Sequence, residues 1–267
     1  MAAPFQAGWR VVDVSVTGPN HVSHHLPNQD AMRHMAIGGR CYALAVADGA
    51  GSASLAEHGS QLAVSAAGAA ALRVFGTAVP TSLAEWRGAA TTYATECLRL
   101  FDSALAVKAR ETDPPAGRAD FATTLLTVVA SPPWFAYVSV GDGFLVVDRR
   151  PGGPHLVVPP PMGREHLGET VFLTSAHREA AVLCEVLYDP CVRGLALCTD
   201  GLIEGVLTYS RAADGAMWPV APPEFGRYFE YFRDPAKHPA DLAHILESRD
   251  FAATSGDDKT MLLAVLR

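Results

Sequence analysis

The chain has 267 residues, with 21 basic and 28 acidic side chains and a net charge of −7. With 49% hydrophobic and 18% charged residues it can bury a sizeable core, which excludes intrinsic disorder. The acidic balance, and basic residues so scattered that no Lys/Arg run exceeds Arg149-Arg150, exclude a nucleic-acid binder that works through a basic face.

WRVVDVSV (9–16) reads as a strand, and a polar, His-rich loop follows it to Asp30. CYALAVAD (41–48) is a second strand, an apolar run that ends in an acid. Residues 55–75 are rich in Ala and Leu, and 61–72 carry no charge, which predicts a helix buried on most sides. A second helix starts near Thr81-Ser82, where Ser82 and Glu85 fit a capping box after Pro80. Its apolar positions run from Leu83 and Trp86 to Ala104 at spacings of three and four, and Asp113-Pro114-Pro115 stops it.

The pattern then changes to strands. ATTLLTVVA (122–130), WFAYVSVG (134–141) and FLVVD (144–148) read as a meander. No charge occurs from Phe121 to Gly141, long enough for a membrane span, but Pro132-Pro133 breaks the run and two buried strands explain it better. Residues 149–169 are rich in Pro and Gly and read as a surface excursion. TVFLTS (170–175), VLCEVLY (182–188) and VRGLALCT (192–199) read as strands. GLIEGVL (201–207) starts a helix, and a second irregular stretch runs to about 221. Phe225, Tyr228, Phe229 and Phe232 form a helical stripe suited to the core. Pro239 opens a helix through Leu242, Ile245 and Leu246, and KTMLLAVL (259–266) closes the chain as a strand.

Helices are segregated from strands, which predicts an α+β fold of antiparallel sheets in one domain over 1–267. No GxGxxG follows the first strand and no GxxxxGK[ST] occurs. The five cysteines, Cys41, Cys97, Cys184, Cys191 and Cys198, form no CxxC pair and read as reduced thiols of a cytoplasmic protein. The N-terminus lacks the basic-then-apolar signature of a secretory signal.

Three apolar strands end in Asp-Gly: Asp48-Gly49, Asp142-Gly143 and Asp200-Gly201. Asp257-Asp258 precedes the last strand, and Asp30 precedes the second. Asp-Gly is also a favoured hairpin turn, an alternative that is serious for Asp142 because FLVVD follows at once. Carboxylates gathered at one rim of a sheet repel one another and raise each other's pKa, and a cation resolves the conflict. All-oxygen donors favour Mg²⁺ or Mn²⁺ over Zn²⁺.

NQDA (28–31), VADGAGSAS (46–54), EHGS (57–60), TTLL (123–126), VGDG (140–143), CTDGL (198–202) and GDDKT (256–260) occur in register over nearly the whole chain. In this the chain resembles the metal-dependent protein phosphatases of type 2C, in their short bacterial branch. The resemblance implies a four-layer α-β-β-α sandwich, two antiparallel sheets covered by helices, with a binuclear Mn²⁺ or Mg²⁺ centre at one end. It implies that Asp48 bridges both ions, that the Gly49 carbonyl binds one, that Asp200 and Asp257 bind the other, and that Asp30 holds water close by. Asp142 matches a third, weaker metal position. The implied reaction is hydrolysis of protein phosphoserine or phosphothreonine by a metal-bridged hydroxide, without a phosphoenzyme. Asp48 and Asp200 are then catalytic as well as metal-binding.

The sequence departs from the family at several places. Where many members grip the substrate phosphate with an Arg, SHHLPNQD places His25, read as a catalytic and substrate-binding candidate or as a solvated loop residue. His21, His24 and His25 could also form a transition-metal site. Gln29 stands for a usual Glu, and Ala50 for a His that serves some members as general acid. Gly143 replaces a Ser, which weakens the third-metal role of Asp142. The excursion, a flap-like interval of about 149–192, offers Arg164, Glu165 and His166 as substrate-touching or merely surface groups. The departures also motivate an alternative, a weakly active or inactive phosphatase-like regulatory or scaffolding module. The implied partners are a phosphorylated protein substrate and a cognate Ser/Thr kinase, with neither nucleic acid nor membrane. Without sustained heptads the chain reads as a monomer.

Overall fold

The computed structural model describes residues 9–39, 41–161, 170–212 and 215–266. In chain order the elements are β1 (Trp9–Val16), α1 (Pro19–His24), β2 (Asp30–Ile37), β3 (Cys41–Asp48), α2 (Ala56–Phe75) and α3 (Leu83–Glu111). Then come β4 (Leu125–Ser131), β5 (Trp134–Val140), β6 (Phe144–Arg149), β7 (Gly153–Val158), α4 (Arg178–Ala181), β8 (Leu183–Tyr188) and β9 (Val192–Cys198). The last are α5 (Ile203–Val206), β10 (Thr208–Arg211), β11 (Met217–Val220), α6 (Gly226–Arg233), α7 (Pro239–Leu246), α8 (Arg249–Ala252) and β12 (Lys259–Leu266). One antiparallel sheet has the order β1-β12-β9-β6-β7 and the other β2-β3-β4-β5-β8, while β10 and β11 form a separate hairpin.

Side-chain alternation along the strands sets the layers. On β3, Tyr42, Leu44 and Val46 face the other sheet, and Cys41, Ala43, Ala45 and Ala47 face the helices. On β12, Leu262 and Ala264 point inward, and Met261, Leu263 and Val265 point outward. The middle layer joins these inner residues to Leu126, Val128, Leu195 and Leu197. Small residues on α2, among them Ala63, Ala67, Ala70 and Ala71, let it lie close on the second sheet, and α3 packs beside it through Trp86, Tyr93, Cys97 and Phe101. The aromatic stripe Phe225, Phe229 and Phe232 covers the first sheet with Leu242 and Leu246. The result is the expected α-β-β-α sandwich. Among the described residues no helix is long and apolar enough to cross a membrane.

The structure corrects five local expectations. Residues 30–37 form a strand, and α1 precedes it within the stretch read as loop. The 149–169 excursion contains β7, and the irregular stretch to 221 contains the β10–β11 hairpin. TVFLTS is not a strand: the Leu173 amide donates to the Thr123 carbonyl at 2.8 Å, while its own carbonyl accepts from Arg118 and Arg178. These bonds take the partners that a ladder would need. The 134–148 region is no meander either. β5 pairs with β4 and β8, and β6 pairs with β7 and β9, so Asp142-Gly143 crosses between the sheets and is not a hairpin turn.

Candidate metal centre

Five strand ends deliver carboxylates to one rim. Asp30 opens β2 directly opposite Asp48 at the end of β3. Asp142 follows β5, Asp200 follows β9, and Asp257 precedes β12. Asp48, Asp200 and Asp257 each bring one oxygen to a set in which all three lie within 4.8 Å of one another.

The backbone around Asp48 is held tightly. Its amide donates to Thr124 Oγ1 at 2.9 Å, and its carbonyl accepts from the Thr124 amide and Thr123 Oγ1, both at 2.8 Å. The next residue must be glycine. A Cβ at Gly49 would lie 2.6 Å from the Ala56 carbonyl oxygen and 2.8 Å from that of Gln29.

Asp30 is buried, and its Oδ2 accepts from Thr199 Oγ1 at 2.8 Å and Thr260 Oγ1 at 2.6 Å. Those two threonines come from the opposite sheet, at the end of β9 and within β12. Asp30 Oδ1, Asp142 Oδ1, Asp200 Oδ1 and Gln29 Oε1 are buried without hydrogen-bond partners. Asp142 Oδ2 accepts from Thr170 Oγ1 at 2.7 Å, so Asp142 stands at the rim beside the three-oxygen set rather than within it.

Electrostatics follows from this crowding. Burial, then Asp258 and Asp200, push the Asp30 carboxyl up to about 8 against the pull of the two hydroxyls. Burial, then Asp30 and Asp200, raise Asp48 well above the usual carboxylate range. Burial also raises Asp200, and the nearby charges of Asp142 and Asp257 add to the rise. Burial is the main cause of the rise at Asp142. Crowded, buried carboxyls whose charged forms are disfavoured, with lone pairs directed at no donor, are what a divalent cation would neutralise. The donors are all oxygen, which suits Mg²⁺ or Mn²⁺.

The remaining expected residues separate. His25 ends α1 in the left-handed conformation, φ 55°, and is exposed. His24 Nδ1 bonds the Asn20 carbonyl at 2.7 Å, and His21 is buried against Asp258, so the three histidines do not converge on one ion. Arg164, Glu165 and His166 lie outside the described residues. Three participants were not foreseen: Thr199, Thr260 and the His21–Asp258 pair. The threonines stood in the sequence within CTDGL and GDDKT, beside the acids that were singled out.

A family model described as protein phosphatase 2C matches residues 17–247. Serine/threonine-protein phosphatase 3 of Escherichia coli (strain K12) is 35% identical over 173 residues, 62% of this chain and 63% of that protein. The match thus spans less than two thirds of that relative. Among solved structures, a bacterial serine phosphatase has a TM-score of 0.65 at 14% identity, covering 97% of this chain and 98% of that one. The serine/threonine phosphatase of Staphylococcus aureus gives 0.64 at 14% identity, with 100% and 98% coverage. That of Mycobacterium tuberculosis gives 0.57 at 20%, with 97% and 99%. At these identities the likeness to the solved structures is one of fold.

Proposed function

The chain belongs to the protein phosphatase 2C family, and from that premise we propose that it is a metal-dependent phosphoprotein phosphatase acting on phosphoserine and phosphothreonine. The observation that carries the reading is the three-carboxylate set of Asp48, Asp200 and Asp257 beside the partnerless buried oxygens of Asp30 and Asp200.

Asp48, the Gly49 carbonyl, Asp200 and Asp257 would hold two Mn²⁺ or Mg²⁺ ions, and Asp142 would contribute to a third. Bound there, the ions acidify water and offset charge on the phosphoryl oxygens. Asp30, clamped through Oδ2, would use Oδ1 to orient the attacking water. His25, when protonated, would draw the phosphate to the rim, and Arg164 would touch the substrate. Water oxygen adds to phosphorus in line with the ester oxygen, the P–O bond breaks, and the serine or threonine leaves as the protonated alcohol. We further read the chain as one domain over 1–267, monomeric and cytoplasmic, opposing a Ser/Thr kinase.

The test is hydrolysis of p-nitrophenyl phosphate and a phosphothreonine peptide with Mn²⁺, Mg²⁺ or EDTA, for wild type and Asp200→Asn. Metal-dependent turnover that falls by about 10²-fold or more in Asp200→Asn supports the reading. Turnover that survives EDTA refutes it. Metal binding without turnover would instead favour a regulatory module, an outcome motivated by neutral Gln29 and the exposed His25.

A further inference from the structure

The β1–β2 connection docks on the turn that carries Asp257, and a buried pair makes the joint. His21 Nδ1 meets Asp258 Oδ2 at 2.9 Å, with the two side chains 10% and 1% exposed. Asp258 also accepts from the Gly18 amide at 2.7 Å and the Gln29 amide at 2.6 Å. A carboxylate serving three donors has only acceptor capacity to offer, so His21 Nδ1 carries the proton of this bond. The Asn20 amide adds a bond to the Gly256 carbonyl at 2.9 Å. At Gly18 the connection lies so close to the Asp257 backbone that a Cβ would overlap it.

The His21 nitrogen and oxygens of Asp257 and Asp258 lie within 4.8 Å of one another. By residue type this resembles another cation site, but the oxygens of Asp258 are engaged by N–H donors from three residues. The group is a hydrogen-bonded joint. It touches the rim on both sides, because Gln29 precedes Asp30 in the chain and Asp258 follows Asp257.

We propose that His21 is a positioning residue: through Asp258 it fixes the backbone at Gln29-Asp30 and at Asp257 in the arrangement that receives the divalent cations. The inference rests on the reading of Asp30 and Asp257 as groups of the cation site. Removing the imidazole leaves the buried Asp258 carboxylate one donor short and frees the α1 segment to shift. Asp258 is then held to the β1–β2 connection only by the amides of Gly18 and Gln29.

Which ring nitrogen acts distinguishes this from simple filling of space. Asparagine places its amide nitrogen close to the Nδ1 position, and glutamine places its own close to Nε2. The experiment is calorimetric titration of Mn²⁺ into the metal-free full-length chain, for wild type, His21→Ala, His21→Asn and His21→Gln. Thermal melts without metal check folding. His21→Ala and His21→Gln should bind Mn²⁺ about 10- to 100-fold more weakly, and His21→Asn should recover most of the loss. If the alanine variant does not fold, the asparagine–glutamine comparison carries the test. Folded variants that all bind within about twofold of wild type overturn the inference alone, as does rescue by glutamine but not asparagine. A wild-type chain that binds no Mn²⁺ overturns the cation-site reading, and the inference with it.

Discussion

Asp30→Asn should stabilise the metal-free chain while impairing its use of metal. The Asp30 carboxyl is pushed up to about 8 by burial and then by Asp258 and Asp200, from a reference of 3.8. Its folded pKa is raised, so between those values the folded chain keeps a proton that the unfolded chain has released. Stability from this group is complete below about pH 4 and is lost as pH rises towards 8. At about 1.4 kcal/mol per unit, the cost at pH 7 relative to acid approaches about 4 kcal/mol. Asp48 and Asp200 share the same crowding, so relieving one site should recover only part of it. An asparagine oxygen can still accept from Thr199 and Thr260, so the clamp survives. We expect the metal-free variant to exceed wild type by about 1–3 kcal/mol at pH 7–8, with the two converging near pH 4. Urea unfolding in EDTA across that pH range measures it, and Mn²⁺ should then stabilise wild type more than the variant. A variant less stable than wild type at pH 8, or two parallel pH profiles, would refute the reasoning.

Two smaller predictions concern backbone packing and capping. Gly49→Ala forces a methyl against two carbonyls, at 2.6 and 2.8 Å, that belong to fixed backbone. It should cost about 1–3 kcal/mol in denaturant unfolding and reduce the Mn²⁺-induced rise in melting temperature. Ser82 Oγ accepts from the Glu85 amide at 3.3 Å at the start of α3, away from the rim. Ser82→Ala should therefore lower stability by about 1 kcal/mol and leave phosphatase turnover and Mn²⁺ affinity unchanged.

Local physics explains which parts of this molecule were legible in the sequence. An apolar run ending in Asp-Gly marks a buried strand that stops at a polar rim, and Asp48 and Asp200 both conform to it. Ser82 with Glu85, and the stripe of Phe225, Phe229 and Phe232, encode their helices by contacts within one turn or two. What sheet a strand joins is not encoded that way. VSVGDGFLVVD has the local form of a hairpin, yet Asp142-Gly143 crosses the seam because β6 finds β9, nearly fifty residues later. DAMRHMAI hides a strand because one face meets small residues of α2 and carries mixed side chains at the sheet edge. The pairing of His21 with Asp258 is illegible for a related reason: the two residues lie 237 apart, and in sequence His21 is one of three histidines with no periodic signal. Resemblance to the family supplied the proposed ligands, but not the contact between His21 and Asp258.

Asp30 belongs to one leaf of the sandwich, and both hydroxyls that clamp it belong to the other. Over most of their facing area the leaves meet through apolar side chains, whose attraction is non-directional and tolerates small slippage. At the rim they meet through short hydrogen bonds that do not. The carboxylate site therefore works as a latch: its geometry records the alignment of the two halves, and a shift of one leaf against the other is felt first where the acids gather. The chain has in effect joined its chemistry to its mechanical integrity, so that a body out of register is also a site out of service.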